Sequence, residues 1–207
     1  MPSKPAARSR QTSKPGKTLR PASRRKNHPS PRILLPFVIL LLAAGAVVAT
    51  LIHYEKTIPP LLADKLAKAD SVLVEKAKRR LSLVRDSRIY RSYAVSLGRE
   101  PVGHKQREGD LRTPEGHYIL DWRNPDSCCY KSLHISYPNE KDTRLASERG
   151  DDPGGLIMIH GQENGWGWLG WLGPYLYKTH GCIAVRNTHM EEIWNAVENG
   201  TPIEIRP

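Results

Sequence analysis

The sequence predicts a mainly β domain with one main α-helix, preceded by a single transmembrane helix, and three observations predict it. An uncharged run of twenty residues, "ILLPFVILLLAAGAVVATLI", fills 33–52. From Ser71 onward, apolar and polar residues alternate with a period of two. One later stretch, "THMEEIWNAVEN" at 188–199, carries both a helical pattern and helix-end signals.

The 207 residues leave room for one domain plus extensions. The net charge of +11 is concentrated at one end: ten of the 32 Lys and Arg precede residue 33 and no acid does, which leaves 22 basic against 21 acidic residues in the rest. A nucleic-acid-binding domain carries its positive charge on its folded part, so the charge points to no nucleic acid. The tail, 1–32, is rich in Pro, Ser and Arg and almost free of apolar residues, a composition expected to be disordered. As a helix, 33–52 spans roughly 30 Å, the thickness of a bilayer's hydrocarbon core, and Pro36 lies near one end, where a membrane helix tolerates it. Basic residues before the span keep the N-terminus in the cytoplasm and send the remainder across the inner membrane into the periplasm. The rival is a cleaved signal peptide, which has a shorter apolar core and a small-residue cleavage site just after it. "ATLIHYEK" offers no convincing site, so the uncleaved anchor is preferred.

Beyond the span, 53–70 is expected to be a stalk, with "IPPLLADKLAKA" as a short amphipathic helix or stalk leading away from the membrane. The soluble domain is expected over 71–207. "SVLVEK", "RRLSLVRD" and "RIYRSYAVSLG" alternate and are separated by charged turns, a β-meander. "GDLRTPEGHYIL" is a turn running into a strand, and "SLHISYP" is a strand stopped by Pro138. "NEKDTRLASERGDDPGG" is polar, with at most one helical turn, and closes on a Pro-Gly-Gly turn. "LIMIHG" is an apolar strand ending at His160, and "GCIAV" is a short one. Thr188 as N-cap with Glu191 as its capping-box partner starts the main helix, Gly200 stops it, and "PIEIR" is the last strand.

Three chemistries compete for Cys182. A zinc site needs ligand pairs at short spacing; His160, His180, Cys182 and His189 lack them, so no metal is expected. A buried apolar thiol is the ordinary reading of a cysteine before "IAV". Against it stand the polar Thr179 and His180 and the turn-forming Gly181. A nucleophile needs a base within reach and backbone N–H groups for the oxyanion. His160 supplies the base if its strand pairs with that of Cys182, and the N–H groups of His180, Gly181 and Cys182 form the hole. The other two cysteines, Cys128 and Cys129, are adjacent. An odd count in an oxidising compartment leaves at least one thiol unpaired or paired between chains.

"IMIHG", followed twenty-two residues after its His by the Cys of "THGCIAV", together with Arg112 to Tyr118 and the ending "EEIW…GTPIEI", resembles the L,D-transpeptidase (YkuD-type) catalytic domain family, and within it the murein L,D-transpeptidase/hydrolase subgroup. The resemblance implies an L,D-transpeptidase-like β-sandwich and, as substrate, peptidoglycan stem peptides. Cys182 would be the nucleophile and His160 the base, oriented by the Gly161 carbonyl. Thr179 and Gly181 would shape the turn, with His180 as pocket wall and backbone donor. No cofactor is implied, and the acyl group would pass to an amine, that of a wall-linked protein included, or to water. Many members read H-G-C-I-R, whereas Ala184 stands here at the Arg position and Arg186 follows two places later, on the same face if the strand continues. The loop with Trp166, Trp168, Trp171, Tyr175 and Tyr177 is either a lid over the substrate groove or ordinary packing. A hydrolase on the same peptides shares every one of these residues. A non-catalytic wall-binding module would need neither His160 nor Cys182.

Overall fold

A computed structural model describes residues 31–169 and 178–207. The chain forms two units, Met1–Leu41 and Leu42–Pro207. What is described of the first is apolar and exposed helix, including Phe37 and Leu41. Helix α1, Pro31–Leu62, contains one stretch long and apolar enough to cross a membrane, Leu35–Leu62, with mean hydropathy 2.7 and no buried residues in its most apolar window. The helix therefore continues ten residues beyond Ile52. Of residues 58–69, expected as a short amphipathic helix or stalk, 58–62 complete α1 and 63–69 are not helical. Tertiary bonds hold them instead: Ala69 N–H donates to Ala196 O, Asp70 N–H to Val84 O (both 2.9 Å), and Leu66 packs on the core.

The rest of the second unit is mainly β, as its alternation predicts. Eight strands form one sheet: β1 Ser71–Glu75, β2 Arg80–Arg85, β3 Arg88–Ala94, β4 Gly116–Asn124, β5 Ser132–Ile135, β6 Met158–His160, β7 Ile183–Ala184 and β8 Thr201–Arg206, in the order β3-β2-β1-β8-β4-β5-β6-β7. The meander occupies one edge. The last strand in sequence, β8, enters the middle, parallel to β1 (Val72↔Ile203) and antiparallel to β4 (Tyr118↔Ile203). Alternate residues of β1 and β8 are buried, which sends Val72, Val74, Ile203 and Ile205 into the core with Leu81, Leu83, Leu120 and Leu133.

Among the described residues, two ten-residue helices join the sheet where one main helix was expected. Helix α2, Glu140–Arg149, replaces the anticipated single turn. It buries only Asp142 and Ala146, so it lacks the apolar stripe that sequence reading relies on. Its ends carry it instead: Asn139 and Asp142 form a capping box, and Gly150 closes it at φ 73°. Helix α3, Asn187–Ala196, is the predicted main helix, but its cap differs. Arg186 is the N-cap, without a side-chain bond, and the helix ends ahead of Gly200. Glu191 serves a tertiary bond rather than a capping box, accepting from Tyr130 OH (2.9 Å) and Lys131 Nζ (2.6 Å). Glu192 accepts from Arg91 Nη2 and Tyr93 OH, both at 2.9 Å, and so ties α3 to the meander.

Beneath the 113–116 turn lies Lys76, 3% exposed, whose Nζ donates to Gly103 O (2.6 Å), Thr113 O (2.9 Å) and Glu115 Oε1 (2.7 Å). Burial holds this ammonium below its ordinary pKa, against the opposing pull of Glu115. Removing it strands one carboxylate and two carbonyls. Lys76→Ala should therefore destabilise the domain by about 3 kcal/mol, read as a lowered urea midpoint in near-UV circular dichroism of the detergent-solubilised chain. An unchanged midpoint would show that water replaces the ammonium.

Candidate active site

The site is built from a two-residue pairing. Strands β6 and β7 run parallel with Ile159 opposite Ile183 and His160 opposite Ala184. Both isoleucines are fully buried, so the alternation sends His160 to the other face. Continuing the register one step back sets Cys182 against Met158, on that same face and diagonal to His160. Strand β5 holds the other side of β6, pairing Ser132 with His160.

The turn before Cys182 is fixed by close backbone contacts. Gly181 has φ 139°, and a Cβ there would lie 2.8 Å from Arg112 O. A Cβ on Gly98 would lie 2.2 Å from Leu111 O. Only glycine fits these approaches, which bring the 97–100 segment between the Thr179 turn and residues 111–113. Thr179 N–H donates to Leu97 O and Arg99 N–H to Thr179 O, both at 3.1 Å. The Thr179 hydroxyl accepts from Gly181 N–H (3.1 Å) and donates to Cys182 O (2.7 Å). The Gly181 amide, one of the three donors expected for the oxyanion hole, is thus committed inside the turn. The N–H groups of His180 and Cys182 have no partner among the described residues.

His160 is 7% exposed, and its Nδ1 lies 2.6 Å from Gly161 O. A carbonyl only accepts, so Nδ1 carries the proton and Nε2 is left with its lone pair. Burial holds the imidazole below its usual pKa, more than the Gly161 carbonyl and Glu163 raise it. Cys182 is half-buried, and its Sγ contacts Leu156 O at 3.7 Å. Burial pushes its thiol up; the Met158 N–H favours the thiolate, Cys128 opposes it, and Lys105 again favours it. Both shifts favour the uncharged forms, thiol and imidazole, of two side chains on one face of the β6–β7 pair. Two such groups can transfer a proton as sulfur attacks. His180 is exposed.

A family profile described as the L,D-transpeptidase catalytic domain (YkuD) matches residues 69–205. The chain belongs to this family. YafK of Escherichia coli (strain K12) is 33% identical over 109 residues, which cover 51% of this chain and 36% of YafK. The chain thus spans about a third of the length of the curated relatives it matches. Among solved structures, the helical cell shape determining protein Pgp2 of Campylobacter jejuni is 27% identical with a TM-score of 0.49, covering 74% of this chain and 54% of that one. Bd1075 of Bdellovibrio bacteriovorus is 27% identical with a TM-score of 0.46, covering 65% and 46%.

Around His160 and Cys182 the structure draws in residues that the sequence left unassigned. The buried Asn187 side chain accepts from Gln162 N–H (2.8 Å), and its Oδ1 would meet a Cβ on Gly161 at 2.7 Å. Glu55 of α1, 6% exposed, accepts from Gly165 N–H (2.6 Å) and from Gly167 N–H, anchoring the loop that follows His160. Neither residue has a local sequence signal, because each works across a long separation. Cys129 O lies 3.1 Å from the same Gly161 Cβ position, so the adjacent cysteines border the site. Both are free, with their sulfurs 3.3 Å apart, and burial pushes the Cys129 thiol up to about 12. Arg186 does not continue β7, which ends at Ala184; it caps α3 and faces a 210 Å³ cavity with Tyr54, Glu55 and Trp168. The same-face argument for Arg186 therefore does not apply. Trp166 and Trp168 are 58% and 47% exposed. Trp171, Tyr175 and Tyr177 lie outside the described residues.

The thiol's shift sets a pH test for this family member. Its pKa is raised above 9.0, so the thiolate is scarce at pH 7.5 and accumulates as pH passes 9. Iodoacetamide should alkylate Cys182 roughly 25- to 100-fold faster at pH 9.5 than at 7.5, because below the pKa the thiolate fraction rises about tenfold per pH unit, with Cys129 untouched over that interval. Peptide mass spectrometry reads both. A Cys182 rate independent of pH would mean a preformed thiolate–imidazolium pair.

Proposed function

We propose that this chain is a membrane-anchored, extracytoplasmic cysteine L,D-transpeptidase acting on peptidoglycan stem peptides. The observation that carries the reading is the placement of His160 and Cys182 on one face of the β6–β7 pair, with His160 Nδ1 bound to Gly161 O and Nε2 left as acceptor. Nε2 takes the thiol proton as Sγ attacks the carbonyl between the L-centre of diaminopimelate and the following D-alanine. The N–H groups of His180 and Cys182 receive the oxyanion. The C–N bond then breaks, His160 returns its proton to the departing D-alanine amine, and a thioester on Cys182 remains. An amine or water resolves it, with His160 again removing the proton. The broken peptide bond conserves the energy, so no nucleotide is consumed. The basic 1–32 tail before the 33–52 span supports a single-pass anchor with 53–70 as stalk and 71–207 as the catalytic domain in the periplasm.

The solubilised full chain, incubated with muropeptide tetrapeptides and an amine acceptor, should release D-alanine and give a cross-linked product whose mass identifies the acceptor. A product carrying only added water would make the enzyme a hydrolase. Release that survives Cys182→Ala would end the cysteine mechanism. His160→Ala should lose about as much acylation as Cys182→Ala, because nucleophile and base act as a unit. His180→Ala keeps its backbone donor and should lose only on the order of tenfold, about 1.4 kcal/mol of barrier. The reverse order would reassign the base.

Orientation is tested separately. A reporter active only outside the cytoplasm, joined after Pro207, should be active. A well-expressed but inactive fusion would place the domain inside.

A further inference from the structure

Cys128 and Cys129 are the two cysteines that the proposed mechanism does not use. Their Sγ atoms lie 3.3 Å apart, with Cys128 exposed and Cys129 buried at 8% exposure. Sulfurs already in contact need little movement to bond, but the residues that carry them are neighbours. Adjacent Cα atoms sit about 3.8 Å apart across a trans peptide, closer than the roughly 4.4–6.8 Å usual for a disulfide. A bond between them is therefore strained, and strain combined with exposure makes a disulfide easy to reduce. Such a bond is a redox couple and not a staple. It also accounts for the odd count: with 128 and 129 paired, the thiol left over is Cys182, which the proposed mechanism needs free.

The main chain of this segment packs on the turn beside His160. A Cβ on Gly161 would lie 3.1 Å from Cys129 O and 2.8 Å from Tyr130 Cβ, so the two backbones are in contact. Asn164 fastens the same segment at three points: its N–H donates to Cys128 O (2.9 Å), its Nδ2 donates to Ser127 O (3.1 Å), and its Oδ1 accepts from Tyr130 N–H (3.0 Å). Gly161 N–H donates to Lys131 O at 3.2 Å. A disulfide between neighbours closes a small ring around the 128–129 peptide. That peptide is the one whose carbonyl takes the Asn164 N–H and whose N–H donates to Ser127 Oγ at 3.1 Å. Closing the ring turns the peptide, and both bonds run through it. The carbonyl that fixes His160 Nδ1, Gly161 O at 2.6 Å, lies in the turn that those bonds hold.

We propose that Cys128 and Cys129 form a reversible modification site, oxidised to a disulfide by the disulfides of external thiols, whose closure loosens the 161–164 turn that orients His160. The exposed Cys128 gives its proton to solvent, and its sulfur attacks one sulfur of the external disulfide, releasing one thiol. Cys129 then loses its proton and attacks Cys128 Sγ, expelling the second thiol. Two protein thiols become one disulfide, and the external disulfide is reduced to two thiols. The site goes beyond the transpeptidase reading and forms whether or not Cys182 is a nucleophile; only its effect on turnover rests on that reading.

The test uses the solubilised full chain, glutathione disulfide as the oxidant, an acid quench and peptide mass spectrometry. The tryptic peptide 124–131 holds both cysteines, and 179–186 holds Cys182. After oxidation, 124–131 should be lighter by two hydrogens, carry no glutathione and return to its first mass with dithiothreitol, while 179–186 keeps a free thiol. Amide hydrogen exchange over 161–167 should run at least about tenfold faster in the oxidised chain, since it reports opening of the bonds around Asn164 and Gly161. The Cys128→Ser chain, treated in the same way, should show no change in exchange. Release of D-alanine from the tetrapeptide should fall about tenfold on oxidation, recover with dithiothreitol, and ignore the oxidant in Cys128→Ser. A cross-link between the two peptides, a lasting glutathione adduct on Cys128, or a disulfide that alters neither exchange nor release would overturn the proposal. If the masses and the exchange behave as expected while neither redox state releases D-alanine, the redox site stands and the catalytic reading falls.

Discussion

The site depends on the parallel register of two very short strands. With Ile159 opposite Ile183, the buried faces of β6 and β7 agree, and His160 and Cys182 share the other face. A slip of one residue would bury one of them and expose an isoleucine. Two paired positions cannot enforce this alone, so neighbours clamp the pair from both sides. Strand β5 holds β6 through Ser132 and Leu133, and the segment after β3 bridges to Ala184 and Thr179. Gly98 and Gly181 make that second clamp possible, because any Cβ at either position would collide with the main chain of 111–112.

Helix α3 extends the clamp to the rest of the domain. Its consecutive buried carboxylates face different elements: Glu191 takes Tyr130 and Lys131 from the approach to β5, and Glu192 takes Arg91 and Tyr93 from the meander. One helical turn thus ties the meander to the segment leading into β5. Burial, followed by the Glu192 hydrogen bond, raises the Tyr93 hydroxyl well above its ordinary pKa, which keeps it a donor.

Much of this was legible in the residues, and the misses share a cause. Period-two alternation marked β1, where alternate residues are buried, and also found β2 and β3, although β2 buries Ser82 between Leu81 and Leu83 and β3 buries only Tyr93; the His160 and Cys182 motifs marked the candidate site through unusual residues at a set spacing. Contacts between distant segments left no such trace. Nothing in "PIEIR" says that it enters the sheet between β1 and β4. Helix α2 escaped because its ends, and not an apolar stripe, hold it. Glu191 imitated a capping box while serving a partner sixty residues away. Arg186 was assigned a strand face on a strand that stops two residues earlier. The oxyanion donors were overcounted because the Gly181 N–H turns inward to Thr179, a local bond that spacing alone does not reveal.

Glu55 gives the helix preceding the domain a part in the site. Its carboxylate supplies the acceptor for two loop amides just beyond His160, so the loop is shaped from outside the 69–205 region that matches the family. Cutting the chain at the start of that region, as a crystallographer or an inhibitor screen would be inclined to do, removes the acceptor and leaves Gly165 and Gly167 to find another partner. Affinities measured on such a fragment would describe a loop with a different resting shape, and a compound chosen for fitting it would be optimised against a surface that the intact protein does not present.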